Sequence, residues 1–291
     1  MIPVAGAQSA VWRFDAIGTV WQIETPSPLP DDARAAVAEC IDRFDAAWSR
    51  FRADSVVSRL ATSGGSEPAP VDAATMLDVY AELSAATDGA VNPLVGETLA
   101  RRGYDATYSF VDRGAMPAPA WKRILQWGDG RLALSEPAVV DVGALGKGRL
   151  VDLVLEVTSA WADGDVVVDA GGDLAVRGGP ERVGLEHPYD PRRAIGVMEV
   201  RDAALCASAT NRRAWGDGLH HVLDARTGHP VRSIVATWAV APTAMRADAA
   251  ATALFFDGGP RLAHEWGVDW VRMTSDGRVE WSPGSKAELF R

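Results

Sequence analysis

The order in which apolar periodicities change along this chain constrains its fold more than any single motif. Residues 11–24 alternate at period two and carry aromatics, which reads as strand with Gly18-Thr19 inside it. Residues 31–51 and 73–87 repeat at helical spacing, through Val37, Ile41, Phe44 and Trp48 in the first and Met76, Leu77, Tyr80 and Leu83 in the second. Asp31-Asp32 favour the first helix start, and Asp88-Gly89 the second helix end. The composition predicts a loop at 62–70, irregular chain at 101–119, and strand material at 121–134 with a turn at Gly128-Asp129-Gly130. A short strand at 138–142 and a helix over 149–161 follow, then a hairpin over 165–176 and strands at 194–200, 219–223 and 234–241. An Ala-rich helix over 246–255 and a β-rich tail with Trp270, Val271 and Trp281 complete the series. Helices and strands mix without a regular βαβ rhythm. The expected class is therefore α+β, with mixed or antiparallel sheets and packed helices rather than a doubly wound sheet. With no internal repeat or low-complexity tract, residues 1–291 read as one domain.

At 291 residues, 47% hydrophobic and 23% charged, the chain can bury a sizeable core. A net charge of −10 without a Lys/Arg cluster argues against nucleic-acid binding, which needs a basic footprint. An anion could still be held if a metal, a lysine or helix N-termini supplied positive charge locally. Cys40 and Cys206 lie among apolar neighbours and read as buried thiols. No apolar run reaches the roughly 18 residues of a membrane span. Residues 1–20 lack the basic start and apolar stretch of a signal peptide, so the cytoplasm is the expected location.

Asp248 and Thr252 stand four residues apart in the Ala-rich run, on one helical face. A carboxylate beside a hydroxyl offers two hard oxygen ligands suited to Mg²⁺. The alternative is a helix-start Asp favoured by the dipole, with Thr252 simply packed. DVGALGKGRL reads as strand, glycine loop and helix start, either a tight turn or a cradle of N–H groups for phosphate oxygens. It is not a Walker A loop, because Asp141 and Gly148 occupy positions that need Gly and Ser/Thr. The adjacent His220 and His221 point to opposite faces of a strand, so one of them can address a given site as a base. DAGGDLAVRG is a Gly-Gly hairpin. Phe51, between two arginines, offers a ring for a flat ligand or simply ends a helix. No GxSxG and no nucleophilic Cys–His pair is present.

Taken together and in order, AIGTVWQIE, SRFRADSVVS, DGAVNP, DVGALGKGRLVD, DAGGDLAVRG, HHVLDARTG and VAPTAMRADAAAT resemble the FAD:protein FMN transferases, the ApbE family, over nearly the whole chain. The resemblance implies an α+β fold with two lobes around an extended FAD cleft. It implies Mg²⁺-dependent cleavage of the FAD pyrophosphate, FMN transfer to a Ser or Thr hydroxyl of an acceptor protein, and release of AMP. By position, Asp248 and Thr252 would hold the metal with the backbone carbonyl of Ala144. Asp141, Lys147, Ala90, Val91, Asn92, Val222, Ser208, Ile17 and Phe51 match FAD-lining positions, and His221 is the candidate base for the acceptor hydroxyl. Ile17 stands where the family usually has Met, Phe51 where it has Tyr, Asn92 where it has Asp, Ala209 where it has Gly and Ala225 where it has Pro. Alternatives are an FAD pyrophosphatase using water at the same site, a flavin-binding protein without turnover, or a partner-binding domain on the same fold. The resemblance also makes a spatial claim: the ADAAAT helix should start beside the GALGKG loop, with His221 within reach.

Overall fold

The computed structural model describes residues 9–290. The first residues of the chain, on which the expected absence of a leader partly rests, lie outside them. At the centre is an eight-stranded sheet whose spatial order follows the chain: β1 (Ala10–Ala16), β2 (Thr19–Thr25), β3 (Val166–Asp169), β4 (Asp173–Arg177), β5 (Ala203–Ala209), β6 (Ile234–Ala241), β7 (Asp269–Thr274) and β8 (Val279–Trp281). Every neighbouring pair is antiparallel. Four helices matter for the site: α1 (Asp31–Trp48), α2 (Ala73–Ala86), α3 (Gly146–Ser159) and α4 (Ala244–Ala253). Long connections carry these helices between antiparallel strands, which is the α+β class expected from the pattern.

Side chains alternate across this sheet and divide the core in two. Val166, Val168, Ala175, Ala204, Cys206 and Ala239 face the helices, whereas Val167, Leu174, Val176, Leu205 and Trp238 face a hairpin formed by Glu181–His187 and Asp190–Val200. The helix side is lined by small residues, and α4 is itself Ala-rich, with Ala247, Ala249, Ala250, Ala251 and Ala253 buried. Small against small lets α4 lie close to the sheet and to α3. Both thiols are buried, as expected, and the Cys206 Sγ donates to the Ala244 carbonyl at 3.3 Å.

Several elements differ from the sequence-based expectation. Residues 11–24 are two strands, not one, reversed by a turn at Ile17 (φ 44°) and Gly18 (φ 75°). Both central residues of the turn sit in the left-handed region that matches strand twist, which costs β-branched Ile17 roughly 1–2 kcal/mol. The expected loop at 62–70 contains the end of a helix, Val56–Ser63, and a strand, Gly65–Pro68. That strand pairs with Arg131–Leu134, a partner that local composition cannot reveal. Residues 121–124 form one helical turn before the expected strands. Residues 138–142 form no strand: buried Val140 and Val142 pack into the main core, but the backbone bond from Asp141 N–H ends on Pro93. The expected strand at 219–223 splits, Leu219–His220 pairing with Ala214–Trp215 and Leu223–Asp224 with His229–Pro230. Helix α3 begins at Gly146, three residues earlier than the glycines suggested.

Candidate active site

Helices α3 and α4 pass each other with their N-terminal turns in contact, and each caps the other. Asp152 of α3 accepts from the Ala244 N–H at 2.6 Å and the Met245 N–H at 2.9 Å, the first amides of α4. Asp248 of α4 accepts from the Gly148 N–H of α3 at 2.9 Å. First-turn amides have no partner within their own helix, so carboxylates are well placed there. The crossing requires glycine at 148, because a Cβ there would lie 2.2 Å from the Ala244 carbonyl oxygen and 2.7 Å from the Asp248 Cβ. Asp248 is thus not a helix-start residue. Helix α4 starts at Ala244 behind its N-cap Thr243, and Asp248 lies one turn in and is buried.

Around this crossing the sequence-predicted residues converge. Lys147 precedes Gly148, and its Nζ lies 2.6 Å from Asp173 Oδ2 and 3.2 Å from the Ala170 carbonyl. Tyr80 of α2 joins Asp141 to Ala144: its hydroxyl donates to the Asp141 carbonyl at 3.0 Å and accepts from the Ala144 N–H at 3.3 Å. The Asp141 carboxylate is held by Arg50 at 2.5 Å and the Gly143 N–H at 2.8 Å. Among the described residues no hydrogen bond ends on the Ala144 carbonyl, four positions before the Gly148 amide that meets Asp248. Thr252 follows Asp248 by one turn of α4 and is partly exposed.

The electrostatics are those of a site short of positive charge. Burial, and then the charge of Asp173, push the Asp248 carboxyl well above the usual carboxylate range, with Lys147 and the Gly148 N–H pulling it back. Burial works against the Lys147 ammonium, but Asp173 and Asp248 outweigh this and leave its pKa raised. His221 is pushed down to about 3, chiefly by burial, with the nearby Arg213 cation adding to it. Its ring is partly exposed, yet its Nδ1 is enclosed without a hydrogen-bond partner. His220, the last residue of its strand, has its Nε2 2.9 Å from the Val231 carbonyl oxygen.

The remaining predicted residues form two groups on either side. Thr19, two residues past Ile17, lies against the Gly171-Gly172 turn, where its Oγ1 would lie 2.2 Å from a Cβ at Gly171, and Ser208 lines a small cavity of about 30 Å³ with Gly171 and Gly172. Ala90, Val91, Asn92 and Val222 gather at the DARTG turn, where the Ala225 N–H donates to the Ala90 carbonyl at 3.0 Å. Asn92 donates to the Pro119 carbonyl at 2.9 Å and accepts from the Leu94 N–H at 2.8 Å. Phe51 does not present a free ring: the Arg50 guanidinium lies 4.1 Å from its centroid and the Tyr108 ring stacks at 5.3 Å. A larger cavity, about 480 Å³, opens between Asp88, Asp224, Arg226, His229 and Asp257 and contains none of the predicted site residues. Its size does not connect it to the chemistry. Sequence reasoning missed Tyr80, Asp173 and Arg50, whose roles are pairings across 61, 26 and 91 positions. Only the GGD run hinted at Asp173.

Comparison with known proteins decides the family. A sequence model described as the ApbE family matches residues 17–270. The chain belongs to the ApbE family. An FAD:protein FMN transferase of Rhodobacter capsulatus is 28% identical over 95% of this chain, which spans 57% of that relative's length. A namesake from Treponema pallidum is 29% identical over 92% of the chain and 85% of its own length. The crystal structure of the ApbE protein from Thermotoga maritima superposes with a TM-score of 0.82 at 22% identity, covering 95% of this chain and 98% of that one. The flavin transferase ApbE from Vibrio cholerae gives 0.79 at 22% identity, covering 97% and 99%. The ApbE fold expected from the sequence is the fold observed. Among the described residues no helix is long and apolar enough to cross a membrane.

Proposed function

We propose that this protein transfers FMN from FAD to a Ser or Thr hydroxyl of an acceptor protein, with Mg²⁺, and releases AMP. The curated relatives are named FAD:protein FMN transferases, which supports the reaction class. The observation that carries the reading is the bond from Gly148, in the first turn of α3, to Asp248, four positions after an Ala144 carbonyl on which no hydrogen bond ends among the described residues.

No group of three His, Cys, Asp or Glu side chains gathers among the described residues, so a soft or multi-carboxylate metal centre has no support. Mg²⁺ asks for less, because it binds through one or two carboxylates and completes its shell with substrate phosphates and water. The residues fit it: a desolvated carboxylate repelled by Asp173, a carbonyl without a partner, and a hydroxyl one turn away. Asp248, Thr252 and the Ala144 carbonyl would hold the ion, which when bound neutralises charge on the pyrophosphate oxygens.

The chain's own groups do the rest. Of the first-turn amides of α3, Gly146 N–H is bonded to Val142 and Gly148 N–H to Asp248, which leaves the Lys147 N–H without a partner among the described residues, and the Lys147 ammonium adds a cation at the same turn. Residues 90–92 with Val222, and the Ile17 turn with Ser208, would line the two ends of the FAD cleft, with Asp141 and Phe51 at its wall. His221 is neutral at pH 7. With Nδ1 enclosed, Nε2 is the ring atom open to the acceptor's proton. The acceptor oxygen bonds to the FMN phosphorus, and the bond from that phosphorus to the bridging oxygen breaks. AMP departs with the bridging oxygen while His221 holds the proton.

The test is to incubate the protein with FAD, Mg²⁺ and a peptide carrying the family's acceptor motif, and to weigh peptide and nucleotide products. A peptide heavier by FMN, with AMP released, supports the transferase. Free FMN with AMP would instead make it a pyrophosphatase, and intact FAD that co-purifies would make it a flavin carrier.

A further inference from the structure

The cations near the crossing of α3 and α4 are not equally available. Lys147 is committed to Asp173, a carboxylate only 1% exposed, and to the Ala170 carbonyl. Arg50 is committed to Asp141, and Arg212 to Glu186 at 2.9 Å. Arg213 is different. It is exposed, and among the described residues its guanidinium has no ion-pair or hydrogen-bond partner; it lies 6.0 Å from the Tyr104 ring.

Its position is set by the short hairpin that carries it. Ala214 pairs with His220 and Trp215 with Leu219. Just past these rungs the His221 N–H donates to the Arg213 carbonyl at 3.3 Å. Arg213 and His221 lie just beyond the paired strands and are joined by that backbone bond, while His220 is turned to Val231. The other end of the hairpin is anchored, since Trp215 Nε1 donates to the Arg102 carbonyl at 2.8 Å and packs with Tyr104 and Leu219. The backbone bond to His221 and the Tyr104 ring 6.0 Å from its guanidinium place Arg213 beside the candidate base.

We infer that Arg213 is a direct pyrophosphate-binding residue of this site, a cation without an ion pair beside the candidate base that clamps the phosphate oxygens of FAD. This rests on the transferase reading and adds to it a residue that reading does not use. Lys147, held by Asp173, then serves mainly to balance the buried carboxylates. A planar guanidinium suits two phosphate oxygens at once, and a contact of this kind strengthens as charge builds on the departing AMP.

The experiment compares wild type, Arg213→Gln and Arg213→Lys in binding FAD, ADP and riboflavin, each with Mg²⁺, by calorimetry. The same three proteins are then followed in peptide flavinylation. The expected result for Arg213→Gln is a tenfold or greater loss of affinity for FAD and ADP, unchanged riboflavin binding, and a fall in kcat beyond the change in KM. Arg213→Lys should recover part of both losses. Because the side chain is exposed and unpaired, thermal unfolding of both variants should match wild type. Arg213→Gln binding FAD and ADP as tightly as wild type overturns the assignment while leaving the transferase reading intact. Wild type that binds FAD no better than riboflavin overturns both.

Discussion

Asn92 shows how one atom's difference from the family's usual residue can be structural. Its amide N–H₂ donates to the Pro119 carbonyl and its oxygen accepts from the Leu94 N–H, in a buried setting. An aspartate could keep the second bond but would set a carboxylate against the Pro119 carbonyl. Asn92→Asp should therefore destabilise the fold by about 1–3 kcal/mol at neutral pH. The buried carboxyl would have a raised pKa in the folded state, since only its protonated form can donate to Pro119. The loss should thus be small at low pH and grow as pH rises above the unfolded value near about 3.9. Chemical denaturation of the variant at several pH values measures this, and a loss that shrinks with rising pH refutes the argument. His221 gives a second prediction at this scale. Burial beside Arg213 holds its pKa at about 3. An anion bound between them would offset that cation, so the His221 imidazole should titrate higher in the ADP complex than in the free protein, as read by NMR. Neither the orphaned Nδ1 nor the Asn92 geometry was legible in the sequence. The sequence pointed to one histidine by strand alternation; the structure separates the two by ending the strand at His220, which bonds to Val231, while His221 lies beyond it.

Among the elements, the pairs with strong periodicity were legible: α1, α2 and β6 lie within a few residues of their expected bounds. The segment 138–142 and the two strands near 219–224 were not, because short apolar runs carry too little period to separate strand from packed coil. The start of α3 was hidden by Gly146 and Gly148, residues disfavoured in helices that are needed here for a close crossing. Gly148→Ala would ordinarily strengthen a helix by roughly 1 kcal/mol. Here the added methyl meets backbone at 2.2 Å, and the neighbouring Ala244 belongs to a capped helix start that cannot yield cheaply. We expect a net loss of about 1–3 kcal/mol, with Mg²⁺-dependent FAD binding lost as well, because Asp248 and the Ala144 loop would be pushed apart. Thermal unfolding and calorimetry on the same preparation check both. Ala225→Pro, which restores the family's usual residue, removes the N–H that holds the Ala90 carbonyl and should lower stability by about 0.5–1.5 kcal/mol.

On the scale of the whole molecule, the long-range claim made from the sequence was that the Ala-rich helix begins beside the glycine loop about a hundred residues earlier. The bond from Gly148 to Asp248 spans 100 positions and meets that claim. What the sequence could not supply was the mutual capping that makes it possible, since Asp152 and Asp248 acquire their partners only when both helices exist. This coupling means that structural and metal-binding losses at Asp248 must be separated. Asp248→Asn keeps an oxygen that can accept from Gly148 and removes only the charge, so its stability without ligand should stay within about 1 kcal/mol of wild type. Ligands that bind only the folded state add about 2.7 kcal/mol at a hundredfold excess over Kd. In wild type, ADP with Mg²⁺ should therefore raise the unfolding temperature clearly, and chelation with EDTA should abolish most of the rise. In Asp248→Asn, ADP should give the same small rise with and without Mg²⁺, because Lys147 and Arg213 remain while the charge that attracts the ion is gone. An Asp248→Asn protein that retains the full Mg²⁺-dependent rise would remove Asp248 from the metal site and leave it only the role of a cap on α3.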